Sequence, residues 1–417
     1  MFKLFSALFT FPDLRKKLLF TLCILAVYRI GSHIPISGID LNALEAVFSS
    51  GGILGFFNLF SGGSLSKFSI FGLGILPYIN ASIIIQLSTI IWPKLKEIAE
   101  EGESGRKQLA QYTRYLAIGI AFIQATVMSV GFREFLLPDV SFGFFLFHAV
   151  LSLVAGACLV MWFGEIITEY GIGNGASLII FIGIIAQMPH FLMNTYVLVA
   201  GGTSIFAVGV LLAVFIATII AIVCVQEAQR RIPVQYAKRL VGRKMYGGNT
   251  TYIPLRLIQG GVMPIIFASV ILHFPMMFAS YFHVNWIKTV FSYDGFIYNF
   301  FFCLMIFFFT YFYTAVTFNP QELSDSIKKH GGFISGVRPG GPTVQFLDNI
   351  VSKLTLFGAI FLAFLALAPI VTANITNVTS FMGLGGTALL IIVGVALDLI
   401  RQIDAFVVTK RYEGFVK

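Results

Sequence analysis

Two stretches of this 417-residue sequence hold most of its capacity to bind a charged partner. Residues 226–257 carry Arg230-Arg231, Lys238-Arg239 and Arg243-Lys244. Residues 319–353 contain Gly336-Val337-Arg338-Pro339-Gly340-Gly341-Pro342. There, Pro and Gly impose a tight, projecting turn that displays Arg338. A guanidinium presented this way suits phosphate or carboxylate groups. Topology signalling alone would explain the charge, but not two long segments with defined turns. Both are read as docking sites for a large anionic or acidic partner.

Residues able to do covalent or metal chemistry form no constellation. Cys23, Cys158, Cys224 and Cys303 sit inside apolar runs without paired spacing, as small buried hydrophobes do. The six histidines are scattered. Gly102-Glu103-Ser104-Gly105-Arg106-Lys107 lacks the spacing of a phosphate loop and reads as a solvated basic turn. No catalytic residue, metal site or cofactor is expected. The membrane-embedded ionisable residues singled out are Arg29, His148, Glu165 and Asp398. They fall near run ends, where snorkelling is cheap. An ion-coupled transporter would place an acid near mid-membrane, and none of these fits.

The elements that must position the basic stretches are apolar. Hydrophobic residues make up 57% of the chain and charged residues 11%, with a mean hydropathy of +0.88. A soluble domain could not hide that much apolar surface, whereas lipid can cover it. Ten runs approach the roughly 20 residues that cross a bilayer core: 18–34, 71–92, 115–132, 142–167, 176–198, 206–225, 261–282, 296–318, 354–371 and 383–399. The fifth is the weakest, being interrupted by Gln187-Met188-Pro189-His190. The first lacks a small-residue cleavage site and is read as a membrane helix, not a removable signal. With ten spans, the 28 Lys and Arg residues fall on one side, apart from Lys67, Arg133, Lys288 and the embedded Arg29. The positive-inside rule makes that side, and both chain ends, cytoplasmic.

The sequence also repeats. Residues 74–85 (GILPYINASIII) align with residues 261–272 (GVMPIIFASVIL), six of twelve being identical, including Gly, Pro and Ala-Ser. Each stretch lies in the second run of a five-run half. Five is odd, so the second half enters from the opposite side, an inverted-topology repeat. Pro is easily tolerated near a helix start, so Gly74–Pro77 and Gly261–Pro264 are read as places where helices begin. Just before the first lies Ser61-Gly62-Gly63-Ser64-Leu65-Ser66-Lys67-Phe68-Ser69-Ile70, too polar and short to span. It is expected to fold back into the protein, where irregular backbone at membrane depth can be shielded.

Several stretches together resemble the SecY family, also called SecY/Sec61-alpha, of pore subunits of the Sec protein translocase. They are Tyr28-Arg29-Ile30-Gly31-Ser32-His33-Ile34-Pro35, Phe60-Ser61-Gly62-Gly63-Ser64-Leu65-Ser66, residues 74–87, Glu101-Gly102-Glu103-Ser104-Gly105-Arg106, residues 164–175 with Gly171-Ile172-Gly173-Asn174-Gly175, Gln229-Arg230-Arg231-Ile232, Phe318-Asn319-Pro320 and Val337-Arg338-Pro339-Gly340. The resemblance runs from the first helix to the last. It implies an all-α polytopic fold of ten transmembrane helices, as two inverted halves (1–198 and 199–402) around a pore, with a cytoplasmic tail at 403–417. It implies a pore ring of Ile75, Ile79, Ala176, Ile180, Ile266 and Ile391, where Ala176 departs from the usual bulky residue. It implies a plug at about 61–72, including Gly62, Gly63, Ser64, Leu65, Ser66 and Lys67. It implies a lateral gate between the second and third runs and the seventh and eighth, carrying Asn80, Gln86, Gln124 and Phe274. Lys238, Arg239, Arg243, Lys244 and Arg338 would dock the ribosome, through rRNA phosphates, and the SecA ATPase. The expected partners also include the small subunits SecE and SecG, signal sequences, nascent chains and membrane lipid. The expected activity is passive conduction of unfolded preproteins across, and insertion into, the bacterial cytoplasmic membrane, without hydrolysis by the channel.

Two other functions share some of these features. A solute permease built on an inverted repeat would use Glu165 or Asp398 in a mid-membrane site. A membrane receptor for ribosomes would dock without conducting.

Overall fold

The computed structural model describes residues 11–49, 58, 60–200, 205–236, 239–241, 244–246, 250–269, 271–272, 295–376 and 386–416. Helices dominate. They are α1 (Pro12–Gly31), α2 (Leu41–Ser49), α3 (Leu76–Ile91), α4 (Pro93–Glu100), α5 (Glu103–Gly131), α6 (Phe142–Tyr170), α7 (Gly175–Ala200), α8 (Ile205–Glu227), α9 (Phe296–Thr317), α10 (Pro320–Lys329), α11 (Gly341–Thr376) and α12 (Gly386–Val416). Residues 263–269 and 271–272 are also helical. Every one of the ten apolar runs therefore contains helix. Among the described residues, six helices are long and apolar enough to span by themselves, and a seventh if α3 and α4, bent by 103°, count as one. Two of the other runs have plain reasons for falling short of that test. Arg15, Lys16, Lys17 and Arg29 lie within α1. Helix α3 has only 16 residues, about 24 Å at 1.5 Å per residue.

The doubtful fifth run is a single helix of 26 residues with Pro189 inside it. Asn174 starts it: its Oδ1 accepts from the Ala176 and Ser177 amides, at 3.0 and 3.3 Å. The Gly-Ile-Gly-Asn-Gly stretch is thus a turn closing on a helix cap. Asn319 caps α10 in the same way, with Pro320 in the first turn.

The two repeated stretches fold alike. Gly74 and Gly261 both take left-handed backbone, with φ of 56° and 58°, a conformation that glycine adopts without steric cost. Helix begins two residues later in each, at positions 76 and 263. The Ile79 amide donates to the Ile75 carbonyl and, at the equivalent place, the Ile266 amide to the Val262 carbonyl. Ala81 and Ala268, also equivalent, are both fully buried.

Two features of the basic stretches and the C-terminal end have no counterpart in the sequence pattern. Strands β1 (Gln229–Tyr236) and β4 (Thr250–Arg256) pair antiparallel, and β5 (Gly332–Ile334) pairs with the other edge of β1. The short strands β2 (Arg239–Val241) and β3 (Lys244–Tyr246) pair separately. Residues 403–416 continue α12 without a break, and Ile403, Phe406 and Val407 pack on the start of α1. Leu14 and Val407 share a small apolar cluster, and Lys17 lies 5.7 Å from the Phe406 ring.

Candidate pore and docking face

The residues expected in the pore ring come together. Ile75, Ile79, Ile180, Ile266 and Ile391 are buried in one apolar cluster, with Ala176 packed against it. That cluster draws on α1, α3, α6 and α7 and on α8, α9, α11 and α12, so it joins elements from both sides of residue 198. Ile75 and Ala176 converge on Gly164 of α6: a Cβ there would lie 3.3 Å from Ile75 Cδ1 and 3.6 Å from the Ala176 nitrogen. The small residue at 176 therefore sits beside a glycine that also lacks bulk.

Residues 61–75 form a buried, turn-rich segment that gives Phe71 and Ile75 to this cluster and Leu65, Phe68 and Leu73 to a second one. Three of its glycines, Gly62, Gly63 and Gly74, have positive φ, which explains the Gly-Gly pair. Gly62 lies directly on Gly183 of α7, since a Cβ on it would come within 2.8 Å of the Gly183 Cα. Gly63 faces the Gln187 amide, and Gly156 of α6 faces the Ile70 carbonyl. Helix α1 supplies the polar fastenings. Arg29 Nη1 donates to the Gly62 carbonyl at 2.7 Å, and the Tyr28 hydroxyl to the Ser61 carbonyl at 3.3 Å. The chain after α1 adds a bridge, in which the Ile36 amide donates to Phe68 O and the Ile70 amide to Ile34 O. Phe68 is fully buried between Phe132 and Phe145, with ring centroids at 5.7 and 5.9 Å. Of the residues expected in the plug, Gly62, Gly63, Ser64 and Leu65 are buried, Ser66 is half-buried and Lys67 is exposed.

At the expected gate, α3 lies along α5, and Phe267 of the seventh run packs edge-on against Phe309 of α9. Asn80 is buried, and its Oδ1 has no hydrogen-bond partner among the described residues. Gln86 donates to Ser82 on its own helix at 3.2 Å, not across the gate. An amide one turn from a hydroxyl finds a partner within its own helix. Gln124 is half-buried on α5. Phe274 lies outside the described residues.

The two basic stretches form one body. Val234 pairs with Ile334 across β1 and β5, although a hundred residues of chain separate them. Ile232, Val234, Leu255, Ile327, Ile334, Leu347 and Val351 bury a common core beneath the sheet. The outer face presents Arg231 and Pro233 opposite Pro254 and Tyr252, all exposed. Arg338 is exposed on its turn, between Gly336 at φ 83° and Gly340 at φ 105°. Thr343 Oγ1 donates to the Arg338 carbonyl at 2.8 Å and holds that turn to α11. Arg239 and Lys244 lie on the β2–β3 hairpin, and Lys238 and Arg243 lie outside the described residues.

The acids a permease would need are already engaged. Glu165 accepts from Arg114 of α5 at 2.7 Å. Asp398 lies 3.4 Å from Arg401, whose guanidinium also reaches Glu227 at 2.7 Å and the Gln226 carbonyl. These pairs tie α5 to α6 and α8 to α12 near the ends of the apolar runs.

The SecY family model matches residues 69–400 of this chain. A protein translocase subunit SecY from Thermotoga maritima is 42% identical across 100% of this chain and 98% of its own length. The chain belongs to the SecY family. A solved protein-conducting channel shares its fold, with a TM-score of 0.66, 18% identity and coverage of 93% of this chain and 91% of that one. A solved SecY whose plug domain stabilises the closed channel and maintains a membrane seal has a TM-score of 0.65, 18% identity and the same coverage. SecY-family membership makes this chain a multi-pass membrane protein and a protein-translocation channel, not an enzyme or a permease. Two site features escaped the sequence: the Arg29 contact and the sheet joining the basic stretches. For the first, a cation inside an apolar run is the available signal. For the second, β5 has only three residues and gives no pattern.

Proposed function

We propose that this chain is the pore of a bacterial preprotein translocase in the cytoplasmic membrane, with both ends in the cytoplasm. Unfolded chains pass between the two halves, 1–198 and 199–402, through the ring of Ile75, Ile79, Ala176, Ile180, Ile266 and Ile391. An aliphatic constriction excludes water when empty and can flex around a passing chain. The segment at 61–72 seals it from outside. The observation that carries this reading is the burial of that glycine-rich segment, with its Phe71 in the same apolar cluster that holds the ring residues. The seam between α3 and α5 on one side and the seventh run and α9 on the other opens to lipid. Gate contacts between polar residues are worth only about 1 kcal/mol each. A signal sequence then partitions outward, because Leu, Ile, Phe and Val each favour insertion by roughly 0.3–0.6 kcal/mol.

On the cytoplasmic side, the β1–β4–β5 sheet is the docking platform. Lys238, Arg239, Arg243 and Lys244 meet rRNA phosphates, and Arg338 meets the SecA motor, which supplies the energy. SecE and SecG complete the complex. The seal is tested by deleting residues 62–71 and measuring ion leak through the reconstituted complex without substrate. Leak should rise well above that of the intact channel. An unchanged leak would remove the plug from the account.

A further inference from the structure

We infer that Arg29 is the latch that holds the plug closed, a role that rests on the plug reading of residues 61–72. Its guanidinium is half-buried in the last turn of α1. Among the described residues no carboxylate pairs with it. The contact it makes is with the plug backbone, Nη1 to the Gly62 carbonyl at 2.7 Å, across 33 residues of sequence. On the proposed orientation it lies at the external end of its span, where topology gives no reason for a cation. A charge there carries a desolvation cost that a hydrogen-bonded carbonyl partly offsets.

The surroundings aim this contact. Tyr28, one residue earlier and fully buried, donates to the Ser61 carbonyl and stacks on Phe71 at 5.8 Å and 14°. One turn of α1 therefore grips both ends of the plug. The Gly62 carbonyl is presented because Gly62 has φ 68° and its Cα side lies flat on Gly183. A side chain at either glycine would push the plug away from α7 and take the carbonyl out of reach. A backbone acceptor also suits a seal that must be released. The plug can leave without stranding a carboxylate, and Arg29 exchanges one carbonyl for water.

The test uses the full chain with its small membrane subunits in nanodiscs and vesicles, with the four native cysteines replaced by Ala. Ser64 is fully buried, so Ser64→Cys reports plug displacement by its rate of maleimide labelling in nanodiscs. Loss of a charge-assisted hydrogen bond should raise labelling on the order of tenfold or more in Arg29→Met. Substrate-free ion leak from vesicles should rise with it. Arg29→Lys, which keeps a donor, should fall between the two and covers the case in which Arg29→Met fails to assemble. In a channel lacking residues 62–71, Arg29→Met should add no further leak. If the deletion leaks while Arg29→Met changes neither labelling nor leak, the latch is wrong and the plug stands. Extra leak in the deletion background would place the action of Arg29 elsewhere and overturn the latch. A deletion that does not leak would remove the plug reading itself.

Discussion

Replacing Phe68 by Ala should convert a sealed channel into a leaking one, by an amount the packing sets. Phe68 is fully buried, and its ring meets Phe132 edge-on and stacks on Phe145. Its backbone is held at φ 41°, the one non-glycine positive φ among the described residues. A conformation of that kind costs about 1–3 kcal/mol and persists only where the surroundings over-determine it. Ala inherits the strained φ without the ring that sustains it. Deleting a buried Phe side chain costs about 3–5 kcal/mol. If the plug leaves as one unit, Phe68 must leave its pocket, and that cost falls on the closed state alone. A shift of ~3 kcal/mol is roughly a hundredfold in the closed-to-displaced ratio. Phe68→Leu keeps most of the burial and loses chiefly the ring pairing, about 0.5–1.5 kcal/mol, so its effect should be about tenfold at most. Substrate-free ion leak through the reconstituted complex reads both variants. A Phe68→Ala channel that assembles normally and leaks no more than the parent would refute the reasoning, because the anchor would then stay behind when the plug moves.

Two further outcomes concern the docking face. Arg338→Glu should block motor-driven secretion more than ribosome binding, while Arg243→Glu with Lys244→Glu should do the reverse and lower the salt slope of ribosome binding. Equal losses in both assays for both changes would remove that division of labour. Val234→Asp should impair both kinds of docking together, because Val234 is buried on the central strand and pairs with Ile334. A buried, unpaired carboxylate costs several kcal/mol. Retained Arg338-dependent secretion in that variant would show that the two stretches work as separate loops.

Much of this fold was legible because membrane helices announce themselves by length and apolarity. The repeat was legible because Gly74-x-x-Pro77 and Gly261-x-x-Pro264 mark the same left-handed turn into a helix. That residues 61–70 do not span is legible in their polarity and shortness, and Gly62 and Gly63 there take positive φ against α7. What escaped depends on pairing across long separations. Pro233 argues against a strand interior, yet it is accommodated because β5 pairs only with residues 234–236 and leaves that edge open at 233. Pro189 weakened the fifth run in sequence, but it lies inside a continuous α7. Arg29 was read as a snorkelling residue because its partner is a carbonyl, and carbonyls leave no trace in a sequence. The Gln86–Ser82 bond is equally hidden, because nothing in the pattern distinguishes a partner on another helix from one a turn away.

The central claim is that this chain conducts unfolded protein. The complex with its small subunits should be reconstituted into vesicles with SecA and ATP, and several precursors offered. Protease-protected precursor should accumulate inside, dependent on the channel and on ATP. No protected precursor in any case, with a control channel working alongside, would contradict the account.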